Sequence, residues 1–152
     1  MTLTRLATEE DHQALAHLCA DAASALRHQR GGPALVATWL EDAEDDHAFA
    51  AVNHHVVGGN PTWLVVGAPT ALKGAAIAWN RGEVGCFAVY VNERHRQQGI
   101  GPQLGSAAIK LLEARAWLRS IDVLALPGDR ALKSLLERSG FKARLLTMRR
   151  EL

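Results

Sequence analysis

The apolar positions of this chain fall into two alternating periods. Leu15, Leu18, Cys19, Ala22 and Leu26 recur at three- and four-residue intervals behind Thr8, Glu9, Glu10 and Asp11. This predicts an amphipathic helix capped by Thr8, with acids in the first turn where the helix dipole favours them. Thr2 to Leu6 suits a short strand ahead of it. RHQRGGP, Arg27 to Pro33, is rich in breakers and reads as a loop. Pro33 can then start a second helix to about Ala43, carrying Leu35, Val36, Trp39 and Leu40. EDDHAFAAVNHHV predicts a further short helix, closed by GGNP.

The period then shortens. Thr62 to Val66 and Lys73 to Asn80 read as strands, Arg81-Gly82 as a tight turn, and Glu83 to Val91 as a central strand. Helical spacing returns from Gly101 to about Leu118. Ser120 to Leu126 predicts another strand, Asp129 to Gly140 a short helix, and the alternation of FKARLLTMRREL a final strand. These elements predict an α/β (α+β) chain with a sheet flanked by helices, organised as one domain over residues 1–152.

Composition narrows the function classes. Seventeen basic residues balance sixteen acidic ones for a net charge of +1. Nothing global therefore draws the chain to nucleic acid or an anionic membrane, and any anion site must be local. Trp39, Trp63, Trp79 and Trp117 are too dispersed for a base-stacking platform. No apolar run reaches the roughly 20 residues of a membrane span, and MTLTRLATEEDHQ lacks a secretory pattern. The cytoplasm is the expected location. Cys19 and Cys86 are expected to be reduced core residues. No metal is expected, since adjacent His54 and His55 cannot share a face, and His12 and His17 are poorly spaced for joint ligation.

One stretch does carry local chemistry. In RHRQQGIGPQL, Arg94 to Leu104, Gly99 and Gly101 permit positive φ and a close backbone approach. Pro102 fits the first position of the following helix, with Gly101 as its cap. Unpaired amides at that helix start would favour an anion, with Arg94 and Arg96 adding charge and Gln97 and Gln98 adding donors. The bland alternative is a strand-to-helix turn with solvated arginines. Neither the three-glycine dinucleotide fingerprint nor the Gly-Lys-Ser/Thr phosphate loop is present.

The stretch Val91 to Gly101, and within it Arg96-Gln97-Gln98-Gly99-Ile100-Gly101, resembles motif A of the GNAT superfamily of acyl-CoA-dependent N-acetyltransferases. LLERSGF, Leu135 to Phe141, resembles the Leu-Tyr-Glu-Lys-x-Gly-Phe segment that closes the family's fourth helix, at the right distance. The resemblance implies the GNAT fold, a mixed and mostly antiparallel sheet whose fourth and fifth strands splay apart. It also implies acetyl-CoA as co-substrate. The amides of Gln97, Gln98, Gly99, Ile100 and Gly101 would cradle its pyrophosphate behind Arg96, and the main chain of Val89 and Val91 would pair with the pantetheine arm. Asp129 would stand near the pantetheine, or simply cap its helix.

The implied reaction is direct attack of a primary amine, on a small molecule, peptide or protein, upon the thioester. Val89 N–H would meet the oxyanion. At the family's tyrosine position this chain has Leu136, which cannot donate a proton. Ser134 is the candidate that could replace it. Glu83 is the one acid on the face of Gly85, Phe87 and Val89, and so the candidate base or amine anchor; a solvated hairpin glutamate is the alternative. Tyr90 and Cys86 are expected to pack, and Arg27 to Gly32 to border the acceptor pocket. A non-catalytic acyl-CoA-binding module is the other function compatible with this pattern, in a monomer or a homodimer.

Overall fold

A computed structural model describes residues 3–35 and 61–152. The predicted helix over 44–56, most of the one beginning at Pro33, and His54-His55 lie outside the described residues. Five strands form one sheet in chain order: β1 (Thr4–Leu6), β2 (Thr62–Ala68), β3 (Ala71–Arg81), β4 (Val84–Val91) and β5 (Ser120–Asp122). Neighbours from β1 to β4 pair antiparallel, and β4 pairs with β5 in parallel. Helices α1 (His12–Arg27), α2 (Ile100–Glu113) and α3 (Arg130–Arg138) accompany the sheet, with 3-10 turns over Glu9–Asp11 and Glu93–His95.

Strand parity sorts the core onto two faces. Leu64, Val66, Ala76, Ala78 and Phe87 meet Leu104, Ala108 and Leu112 of α2 on one face. Trp63, Val65, Ala75 and Ile77 meet Leu15, Leu18 and Cys19 of α1 on the other. A sheet buried on both faces needs apolar residues at successive positions, and β2 and β3 supply them. Small residues let the helix approach closely. A Cβ added at Gly74 would lie 3.0 Å from the Tyr90 carbonyl oxygen and 3.1 Å from Leu104.

An ion pair fastens the N-terminal end. Arg5 donates to both carboxylate oxygens of Asp11 at 2.7 Å, and the wholly buried Asp11 side chain also accepts from Thr8 N–H at 2.8 Å. Arg5 reaches the Gly67 carbonyl at 3.0 Å as well. The first helix accordingly opens with a 3-10 turn over Glu9–Asp11, not as a regular α-helix from Thr8.

Four boundaries differ from the sequence expectation. The β3–β4 turn falls on Gly82 and Glu83, with Gly82 taking φ 55°. Helix α2 starts at Ile100 behind Gly99 and stops at Glu113. Strand β5 ends at Asp122, because β4 and β5 share a ladder over only three residue pairs before they part. No strand forms over residues 141–152, which find no ladder partner among the described residues.

Candidate functional site

The parting of β4 and β5 shapes the site. The ladder ends at Cys86–Asp122, yet β4 continues to Val91. Among the described residues its outer edge lacks a strand partner from Phe87 onward, so backbone groups facing that way are available to an extended ligand. Beside this edge lies an open, mostly apolar cleft of about 70 Å³, bounded by α1, β4, residues 123–126 and the start of α3. Val89, Tyr90, Asp129 and Leu132 line it.

Strand β4 delivers the chain directly to the glycine loop. Asn92 bonds back to Lys73 through its N–H at 2.8 Å, and its side chain accepts from Arg94 N–H at 3.0 Å. Then the backbone alternates in hand. Gln97 has φ 61° and Gly99 φ 78°, while Gln98 between them and Ile100 after them stay at negative φ. Such alternation turns successive N–H groups toward a common point, as anion-binding nests do. The first intrahelical bond runs from Gln103 N–H to Gly99 O at 3.1 Å. Pro102 has no N–H, so Ile100 and Gly101 carry the unpaired amides of the first turn. Among the described residues, no backbone acceptor takes them.

The sequence therefore located the loop but misplaced its hinge. Gly99, not Gly101, is the left-handed cap, and Pro102 is the third helical residue, not the first. Gly101 keeps an ordinary φ; a Cβ there would touch only Val91, at 3.6 Å. Arg96 is exposed, lies 5.9 Å from the Tyr90 ring centre and donates weakly to Val91 O at 3.4 Å. Tyr90 packs against the α1-side core as expected, and it also lies near Arg96 and lines the cleft. Only side-chain position around the splay, which has no sequence signature, reveals that double role.

Asp129 joins the cleft, and its carboxylate caps α3 by accepting from Leu132 N–H at 3.0 Å. Both expectations for it are compatible in one geometry, since a single oxygen serves the cap. Leu132 lies three residues on, on the same helical face, and also lines the cleft. Ser134 is rotated away from that face and is exposed. Leu136 is buried against the α2 side of the sheet.

Glu83 sits in the hairpin, where its carbonyl accepts from Arg119 N–H at 2.8 Å. That is the closed end of the β4–β5 pair. Six residues separate it from Val89, roughly 20 Å of strand. Glu83 thus lies in the turn before β4, at the end of the strand away from the cleft. The Arg27–Gly32 loop does come to the cleft's border. Gln29 and Arg30 face Leu126 and Gly128 across a shallow depression.

Two further polar groups meet the cleft. Trp63 lines it, and its buried indole N–H has no hydrogen-bond acceptor among the described residues. Cys19 lines it too, and burial pushes its thiol up to about 12. A thiol so poor in thiolate is no nucleophile at neutral pH. Cys19→Ala should therefore leave any acyl-transfer rate within about twofold of the parent, measured as thiol release. Among the described residues no group of His, Cys, Asp and Glu could hold a metal ion, and no helix is long and apolar enough to cross a membrane.

Comparison with known proteins agrees with this geometry. The sequence model of the acetyltransferase (GNAT) family matches residues 13–141. No curated protein sequence matches. Among solved structures, the BH1408 protein of Bacillus halodurans, in a mutant form, superposes with a TM-score of 0.66 at 19% identity over 99% of both chains. The acetyltransferase AAC(6')-Iy, bound to the bisubstrate analogue CoA-S-monomethyl-acetylneamine, gives 0.63 at 15% identity over 100% of this chain and 99% of that one. A transcriptional regulator from Bacillus halodurans C-125 gives 0.60 at 20% identity over the full length of both.

Proposed function

Because the chain belongs to the GNAT acetyltransferase family, we propose that it moves the acetyl group of acetyl-CoA to a primary amine of a small molecule, peptide or protein by direct attack. The observation that carries this is the continuity of the site. The unpaired edge of β4 runs without interruption into a loop of alternating hand and then into a helix N-terminus. An extended arm ending in a pyrophosphate has that shape and charge.

In this reading the amides from Gln97 to Gly101 hold the pyrophosphate, and Arg96 neutralises part of its charge. The main chain of Val89 and Val91 pairs with the pantetheine arm, and Asp129 accepts from one of its amide hydrogens. The amine lone pair attacks the thioester carbon while Val89 N–H stabilises the oxyanion. The C–S bond then breaks with its electron pair on sulfur, and the amine's surplus proton passes to a base or to water. With Leu136 where a tyrosine would donate, the thiolate leaves unprotonated, which a thiol of pKa about 8.5 permits. The bisubstrate analogue held by AAC(6')-Iy, which joins CoA to an acetylated amine, supports placing both substrates in one cleft.

Thermal unfolding with acetyl-CoA and a thiol-release assay over an amine panel test this together. A ligand at a hundred times its Kd adds about 2.7 kcal/mol to the native state, so a clear rise in Tm is expected. Failure of saturating acetyl-CoA to raise Tm would overturn the reading. A rise in Tm with no thiol released above the buffer rate would favour the acyl-CoA-binding module, for which the buried Leu136 is the supporting observation. Glu83→Gln should leave the rate intact, since no short path joins it to the cleft.

A further inference from the structure

The room in the cleft comes from where small side chains stand. On α1, Leu18, Ala22 and Leu26 recur every four residues along its wall, and Ala22 leaves a gap between the two leucines. Ala75 and Ala88 do the same on the sheet. The rings of Trp63, Phe87 and Tyr90 close it further. A free volume of about 70 Å³ holds about five water molecules, the room of an apolar chain of about as many carbons.

Charge is nearly absent from these walls. Among the described residues that line the cleft there is no Lys, Arg or His, and Asp129 is the one carboxylate. Its Oδ1 already accepts from Leu132 N–H at 3.0 Å, which leaves one oxygen for an ammonium. A polyamine would hold its other charges against apolar carbon, at a cost that no hydrogen bond offsets. A monoamine with an apolar substituent instead releases water from the cleft, which is favourable. The same walls penalise an ammonium relative to a free amine, and the free amine is the form that attacks a thioester. Val89 lines the cleft as well. A chain seated beneath α1 therefore presents its nitrogen to the edge where the proposed reaction puts the thioester.

We infer that the acceptor is a monoamine bearing a linear apolar group of about five carbons, seated between α1 and the sheet, with Ala22 setting how long that group can be. The inference rests on the acetyl-transfer reading and narrows its substrate class.

Two readouts on the full chain test this: thermal unfolding of its CoA complex with each amine, and thiol release from acetyl-CoA. The probes are n-alkylamines from ethyl to octyl, which differ little in basicity, and spermidine. Affinity and kcat/KM should rise about fourfold per methylene and level off near five carbons. In Ala22→Val the rise should stop at a shorter chain, while acetyl-CoA alone still raises Tm. Leu124, half exposed on the wall formed by residues 123–126, is a position that tolerates charge. Leu124→Asp should favour spermidine over hexylamine, the reverse of the parent. A flat alkylamine series, a parent that prefers spermidine, or an Ala22→Val series of unchanged length would each overturn the inference. Turnover of spermidine alone would do so while keeping acetyl transfer. A rising Tm series without thiol release would support the preference of the cleft and remove acetyl transfer.

Discussion

Asp11→Asn is expected to lower the stability of the folded chain by about 3 kcal/mol at neutral pH, measured by urea unfolding. That is the low end for a broken buried pair, because Arg5 keeps a third of its side chain in water. The loss has two parts. The guanidinium loses its bidentate partner, and the new carboxamide must face donors on both sides, from Arg5 and from Thr8 N–H. At least one N–H then points at another within a site that excludes water.

The same pair sets a pH dependence whose direction follows from the shift. The hydrogen bond from Arg5, followed by that from Thr8 N–H, outweighs burial and holds the Asp11 carboxyl below its ordinary value of 3.8. A carboxyl lowered in the folded state contributes fully above its unfolded value. That contribution disappears as pH falls through the folded value. The stability gap between parent and Asp11→Asn should be flat from pH 7 to about 5 and close progressively below about 4. A gap that stayed constant down to pH 2 would mean that the carboxylate charge is irrelevant to the joint between β1 and α1.

This pair shows where sequence reading stops. Asp11 was legible as a first-turn acid near a helix N-terminus, and Arg5 as part of a short strand. Their meeting depends on the angle at which β1 enters the 3-10 turn, and on Gly67 of a strand 62 residues away. No periodicity encodes that. By contrast β2, β3 and β4 were legible nearly to the residue, because a strand buried on both faces writes an unbroken apolar run between turn residues. The glycine loop was legible as chemistry, since backbone that must turn left-handed selects glycine. Its phase was off by two residues, because Gly99 and Gly101 look alike until φ is known.

The candidate acid and base were legible only in part. Parity along β4 assigns a face but says nothing about which end of the strand the ligand edge occupies. That edge exists because β5 leaves the ladder after Asp122. Glu83 and Ser134 each satisfied a one-dimensional rule and miss the site in three dimensions. Tyr90, Trp63 and Cys19 meet it for the same reason. The tail is the reverse case: its alternation predicts a strand, and residues 141–152 form none.

Gly101→Asp tests the anion site most sharply, because its two effects have opposite signs. In the free protein the change should be mild or favourable. The new Cβ would make only ordinary contact with Val91, at 3.6 Å. A carboxylate in the first turn of α2 also gains about 0.3–1 kcal/mol from the helix dipole. Toward a pyrophosphate the same carboxylate is a like charge placed where amides should donate. At 4–5 Å and an effective dielectric near 20 the repulsion is about 3–4 kcal/mol, or two to three orders of magnitude in Kd. The expected result is an unchanged or raised Tm without ligand, and loss of the shift with acetyl-CoA. Gly101→Asn, of nearly equal size and without the charge, should lose far less affinity. Equal losses in the two variants would mean that the loop excludes side chains by volume alone. Retained affinity in Gly101→Asp would place the phosphates elsewhere and remove the main support for acetyl-CoA as the donor.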